Sequence, residues 1–131
     1  MTRWPTLAAL ALPSLGFAQQ RPLPVPANDG PRVIMTNPAN GGTVKAGVAV
    51  LAIGFDRAMA KGGWSVTGER ALLPQFIGQP EWSADGRVFR LRIRLEAGRT
   101  YEVGVNSARL REFKDTRGVS AMPFKVRFRA I

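Results

Sequence analysis

The residue types that could do chemistry in this chain are few, and the missing ones decide the most. None of the 131 residues is histidine or cysteine. That removes the usual nucleophile–base triads, the cysteine nucleophiles and the main ligands of zinc and copper. Asp56, Asp85 and Asp115 carry groups that calcium would use. Each stands beside a turn glycine or in a loop, and none follows EF-hand spacing, so turn formation is their expected role. Glycoside cleavage needs two facing carboxylates, one with a raised pKa, and the acidic residues form no marked pair in sequence. Neither Ser-x-x-Lys nor a glycine-rich phosphate loop occurs. Met35, Met59 and Met122 are scattered and read as packing residues. Trp64 and Trp82 have the faces of a sugar platform, but Trp64 is in phase with Val66 and core packing is expected of both. The chain is therefore expected to be no enzyme and to carry no cofactor and no metal.

What remains is arginine. Lys and Arg number 19 against 9 Asp and Glu, a formal net charge of +10. Such an excess suits an acidic partner: anionic lipid, an acidic envelope polymer or nucleic acid. The competing explanation is compositional, because arginine outnumbers lysine and Ala, Gly, Val and Pro are plentiful, as GC-rich codon usage would give. The total charge is put down to composition; its placement is the more informative. Three groups of basic residues stand out, the first and the third as candidate binding residues. Arg90, Arg92 and Arg94 occupy alternate positions. Lys125, Arg127 and Arg129 do the same near the end. Arg109, Arg111, Lys114 and Arg117, with Phe113 among them, lie in the long connection 106–122, where sandwich proteins often carry binding tips. The competing role of that connection is a solvated loop pinned by Leu110 and Phe113. The two stripes suit a solvated face that discourages edge pairing, the favoured reading, and they also suit contact with an anionic surface.

The elements that must position these residues follow from hydrophobic period. From Val88 to Leu95, apolar and basic residues alternate, so Phe89, Leu91, Ile93 and Leu95 share one face and the arginines share the other. A helix would scatter both sets. Phe124, Val126 and Phe128 repeat the pattern. Further strands are expected over Arg32–Thr36, Val44–Phe55, Trp64–Val66 and Thr100–Val105, the last with Tyr101, Val103 and Val105 inward. Short edge strands are expected in Leu72–Trp82, which Pro74, Gly78 and Pro80 interrupt. Asp85-Gly86 signals a tight hairpin. Asn106 or Ser107 is expected to cap one helical turn, with Leu110 and Phe113 tucked down. About seven short strands in about 100 residues predict an all-β fold, an antiparallel β-sandwich.

The first residues predict an address. Leu7–Leu12 is a short apolar run broken by Pro13, and Gly16-Phe17-Ala18 offers small residues where a signal peptidase reads. The run is too short for a spanning helix, which needs about 20 apolar residues. Residues 1–18 are read as a signal peptide, 19–31 as a Pro-rich leader and 32–131 as one folded domain. Export, to the periplasm or beyond, disfavours nucleic acid as a partner and leaves no transmembrane segment in the mature chain.

Specific residues then carry a resemblance. Pro38-Ala39-Asn40-Gly41, Phe55-Asp56-Arg57-Ala58-Met59, Leu95-Glu96-Ala97-Gly98-Arg99-Thr100-Tyr101, Asp115-Thr116-Arg117-Gly118 and the closing Phe124–Phe128 strand occur in that order. Together they resemble the bacterial Ig-like domain of the S-layer-protein (SbsA) type, with Ala58 where the family has proline. The resemblance covers about Arg32 to Arg129. It implies an Ig-like β-sandwich serving as a non-catalytic binding or adhesion module of the cell envelope, whose partner is an envelope protein or an anionic polymer or lipid surface. The alternative is a structural accessory domain that packs on an exported partner by edge-strand addition. Of single residues, Tyr101 is expected to return its hydroxyl to a nearby carbonyl, and Gly98 and Gly118 to adopt positive φ.

N-terminal sequencing of the exported protein should begin at Gln19; an intact Met1 retained in the cytoplasm would refute the leader assignment.

Overall fold

The computed structural model describes residues 29–131; the signal-peptide assignment and most of the Pro-rich leader fall outside the described residues. Eight strands follow in chain order: β1 Val33–Asn37, β2 Thr43–Val44, β3 Gly47–Phe55, β4 Val66–Thr67, β5 Gln75–Trp82, β6 Val88–Leu95, β7 Thr100–Val105 and β8 Phe124–Ala130. They form two four-stranded sheets, one ordered β1-β3-β6-β5 and the other β2-β8-β7-β4. Every pairing is antiparallel except that of β2 with β8. The expected β-sandwich is what the chain builds.

Alternation places the core. On β6, Phe89, Leu91, Ile93 and Leu95 are buried while Arg90, Arg92 and Arg94 are exposed. Opposite them, Tyr101, Val103 and Val105 of β7 and Val126 and Phe128 of β8 point inward. Each such side chain contributes about 1.5–3 kcal/mol when fully buried. Phe124 is the exception in its strand, 37% exposed at the open end of the sheet. Trp64 and Trp82 pack against the core as expected. Trp82 lies with its ring centroid 5.2 Å from Phe89, and Trp64 lies 5.4 Å from the same ring. Met59 is buried, but Met35 is 43% exposed and lies on the surface.

Four local expectations change. The single strand over Val44–Phe55 is two strands, because the chain crosses from one sheet to the other through Lys45 and Ala46, and Gly47 (φ +108) makes the bend. Leu72–Trp82 is not a set of fragments but one eight-residue edge strand. Its register shifts between Ile77 and Glu81, so the bulge absorbs Gly78 (φ +71) and Pro80. The Tyr101 hydroxyl does not seek a carbonyl; it accepts the backbone N–H of Glu96 at 2.8 Å. The helical turn after Asn106 is absent: Asn106 has φ +56, outside helical space, and the Ser107 hydroxyl accepts the N–H groups of Arg109 and Leu110. Leu110 is 51% exposed and pins nothing. Gly98 (φ +85) and Gly118 (φ +87) adopt the expected positive φ.

Asn106 itself organises the long connection. Its side chain is 3% exposed. Its Oδ1 accepts the Ser65 hydroxyl at 2.8 Å and the Phe113 N–H at 3.1 Å. Its Nδ2 donates to the carbonyls of Phe113 at 3.0 Å and Ala121 at 3.1 Å. One amide thus ties two points of the 106–122 connection to the segment entering β4.

Asn106→Ala strands several buried polar groups, each costing about 1–3 kcal/mol. Chemical denaturation should show a loss of about 3 kcal/mol. Asn106→Asp keeps the acceptor and loses both donated bonds, so it should also destabilise. An unchanged midpoint for both variants would deny Asn106 this role.

Candidate functional site

The basic residues singled out in sequence occupy three different places. The first is the outer face of the β1-β3-β6-β5 sheet. Arg90, Arg92 and Arg94 project there as one row. In register beside Arg94 and Arg92 on β3 are Val48 and Val50, which are 54% and 48% exposed. On the other flank, Gln75 pairs with Arg94, Ile77 with Arg92 and Glu81 with Arg90. A shallow hollow of ≈ 220 Å³ lies on this face between Val50, Glu81, Arg90 and Arg92. None of the three arginines forms an ion pair among the described residues. The face is cationic with an apolar border.

The second stripe lies on the other sheet, as separate sheets require. Lys125, Arg127 and Arg129 are exposed on β8. Here the charge is partly neutralised: Glu102 of β7 pairs in register with Arg127 and reaches it at 3.4 Å.

The third place is the 106–122 connection, and here the sequence-based grouping needs correction. Phe113 is fully buried, its ring 5.0 Å from Phe89 and 5.5 Å from Phe55. It is a core residue with no exposed surface, and the alternation that governs strands does not govern an irregular segment held by Asn106. Lys114 is half-buried and bridges backbone to Ser120. Arg117 is committed to Asp115, through Nε at 3.1 Å and Nη2 at 2.8 Å. Only Arg109 and Arg111 remain as exposed basic residues whose heads are not held by a carboxylate among the described residues. Arg111 borders a groove of ≈ 380 Å³ with Ser107, Ser120 and Met122.

The aspartates do turn work. Asp85 accepts the Ser83 hydroxyl at 2.6 Å and the Arg87 N–H at 3.1 Å, closing the hairpin between β5 and β6. Asp56 accepts the Arg32 N–H and the Arg57 guanidinium, holding the segment before β1 against the end of β3. Asp115 is the residue whose weight sequence reasoning missed. It is 1% exposed, and its carboxylate takes the N–H groups of Arg117 and Val119 as well as the Arg117 side chain. Arg57 approaches at 3.8 Å, so two segments some 58 residues apart meet at one carboxylate. The Asp-x-x-Gly spacing marked a turn; nothing in sequence marked its burial. Burial alone would raise the Asp115 pKa, but the Arg117 guanidinium and the two backbone N–H groups outweigh it and hold the carboxyl below the ordinary aspartate value. Among the described residues, no group of three or more acidic side chains could hold a metal ion.

No family model matches the chain, and no curated protein matches it. Two solved structures do resemble it. A crystal structure of the S-layer protein rSbsC(31-844) superposes with a TM-score of 0.51 at 18% identity, covering 76% of this chain and 13% of that one. The structure of domains 1–6 of surface layer protein SbsC gives a TM-score of 0.50 at 20% identity, with the same 76% and 13% coverage. The likeness is one of fold. The matched region spans about an eighth of those solved chains.

The Asp115 geometry has a pH signature. A carboxyl whose folded pKa is lowered contributes stability that is fully present above the unfolded value and is lost as pH falls through the folded one. Asp56 and Asp85 are shifted in the same direction, the first chiefly by the Arg57 hydrogen bond and the second by the Ser83 hydroxyl. Denaturation midpoints should therefore fall as pH drops below about 4. Asp115→Asn should be less stable at pH 7 and lose less on acidification. Arg117→Ser should cost about 2 kcal/mol at pH 7, whereas Arg109→Ser/Arg111→Ser should leave stability unchanged. Identical acid limbs for the native chain and Asp115→Asn would refute this account.

Proposed function

We propose that the chain is an exported, non-catalytic, Ig-like module of the bacterial cell envelope that contacts an anionic surface through the Arg90–Arg92–Arg94 face. The observation that carries this reading is the make-up of that face: three guanidinium groups in one row, without ion pairs among the described residues, bordered by exposed Val48 and Val50. Exposed valine is also ordinary on a strand, but beside a row of arginines it gives an anionic lipid or polymer surface apolar area as well as charge to meet. Each cation near a charged membrane adds about 1 kcal/mol of attraction.

The Ig-like part of this reading is supported by strand order. Relabelled A to G, with β2 as a short extra strand, the sheets read A-B-E-D and C-F-G, the immunoglobulin constant-type arrangement. The Tyr101 hydroxyl, bonded to backbone five residues upstream, matches the tyrosine-corner device of such domains. The envelope part is supported by the S-layer proteins that share the fold and by the leader-like first 18 residues. The alternative of edge-strand addition is less well served at the β5 edge, while β1, the sheet's other edge, exposes Ile34 and Met35. The β5 edge is interrupted by Gly78 and Pro80, and proline offers no N–H to an added strand.

Vesicle co-sedimentation provides the test. The native chain should bind vesicles containing phosphatidylglycerol and not neutral phosphatidylcholine vesicles. Binding should weaken as salt rises, because the Debye length is only about 8 Å at physiological ionic strength. Arg90→Ser/Arg92→Ser/Arg94→Ser should reduce it at least tenfold, since three cations supply about 3 kcal/mol. Equal binding by the two proteins, or binding indifferent to salt, would remove this face from the function.

A further inference from the structure

A second basic site lies at the edge of the sandwich. The connection from β4 to β5 passes between the sheets' ends and makes one 3-10 turn, Arg70–Leu72. Beneath it opens a cleft of ≈ 480 Å³. Leu73, Pro74 and Phe76 give it an apolar wall, and Arg70, Arg94 and Arg99 reach its lining. Sequence spacing grouped only Arg94 of these, with Arg90 and Arg92, because the three come from different elements.

The three arginines do different work. Arg99 is spent on structure. Its Nη2 donates to the Ala71 carbonyl at 3.1 Å, its Nη1 meets Glu96 at 3.5 Å, and its Cζ sits 5.4 Å from the Tyr101 ring centroid. It thereby anchors the turn that carries Arg70. Arg70 and Arg94 form no ion pair among the described residues. The residues before 29 contain no Asp or Glu that could supply one. With Glu96 balancing Arg99, the cleft keeps two uncompensated positive charges beside an apolar wall.

We infer that this cleft is a binding site for a phosphate monoester carried on an apolar or ring-containing body. A phosphate monoester holds about −1.5 to −2 charges at pH 7, which matches two free guanidinium groups better than a single carboxylate does. Guanidinium also offers paired donors whose geometry fits phosphate oxygens. Leu73, Pro74 and Phe76 receive the organic part, as apolar walls do in small-ligand sites of this size. The site shares Arg94 and Gln75 with the outer cationic face, and Arg70, which that face does not use, tells the two apart.

Calorimetric titration of the purified chain with phenyl phosphate, inorganic phosphate and benzoate tests the site. Phenyl phosphate should bind about tenfold more tightly than inorganic phosphate, because its ring covers the apolar wall. Benzoate, with one charge, should bind more weakly than phenyl phosphate. Arg70→Ser should weaken phenyl phosphate about tenfold, with an unchanged melting temperature. Arg90→Ser/Arg92→Ser should leave phenyl phosphate binding intact while weakening attachment to phosphatidylglycerol vesicles, which keeps this site and the cationic face distinguishable. Phosphatidic acid vesicles identify the source of the phosphate. Release of the chain from them by saturating phenyl phosphate, lost in Arg70→Ser, assigns the monoester to a lipid headgroup. Phenyl phosphate binding without such release assigns it to a soluble ester. Equal phenyl phosphate affinity in Arg70→Ser and the native chain, or benzoate binding as tightly as phenyl phosphate, would overturn the proposal.

Discussion

Phe89 is the contact on which the two sheets depend. Its ring lies 5.0 Å from Phe113, 5.2 Å from Trp82 and 5.4 Å from Trp64, so one side chain of β6 touches the long connection, the β5 edge and the segment entering β4. Phe55 extends the cluster to the end of β3, at 5.5 Å from Phe113. Small β-sandwich domains often staple their sheets with a disulfide. A chain without cysteine must hold them by area and by aromatic geometry, and tilted or edge-on pairs of this kind add about 0.5–1.5 kcal/mol beyond burial. The Trp82 Nε1 is left without a hydrogen-bond partner among the described residues, a local cost of placing an indole in this cluster.

Polar groups inside the fold are confined to places where the backbone leaves regular structure. Asn106 and Asp115 are both buried, and both spend their side chains on backbone N–H or C=O groups that no sheet ladder reaches. Buried backbone groups need partners, and the 106–122 connection supplies only some of its own, such as Ala121 N–H to the Phe113 carbonyl at 2.8 Å. The same economy explains the contrast between the two cationic stripes. β8 lies beside β7, whose Glu102 meets Arg127; β6 lies between β3 and β5, which offer its arginine row valines and one glutamate. Charge on the first sheet is therefore left for the surroundings, while charge on the second is partly consumed within the protein.

Strand content and inward faces were legible in the sequence wherever the period of two ran unbroken. Arg87 to Leu95 and Phe124 to Phe128 needed no tertiary information, because alternation leaves only one face that can be buried. The turns at Asp85-Gly86, Gly98 and Gly118 were legible for a local reason as well, since each needs a backbone conformation that glycine adopts readily. The break between β2 and β3 was not legible, because crossing between sheets leaves the hydrophobic pattern intact. Nor was the long β5 strand, whose bulge accommodates residues that ordinarily end a strand.

The functional residues divide along the same line. The sequence by itself determined that the chain has no histidine and no cysteine and that its arginines fall into rows, because residue type and strand period are local properties. Only the tertiary structure decided which of those charges are available. Arg117 is bound to a buried carboxylate, Phe113 belongs to the core, and Arg70 and Arg94, some 24 residues apart in the chain, line one cleft. Those outcomes depend on which carboxylates and apolar walls the fold brings near each guanidinium, and distances through space are not encoded in spacing along the chain.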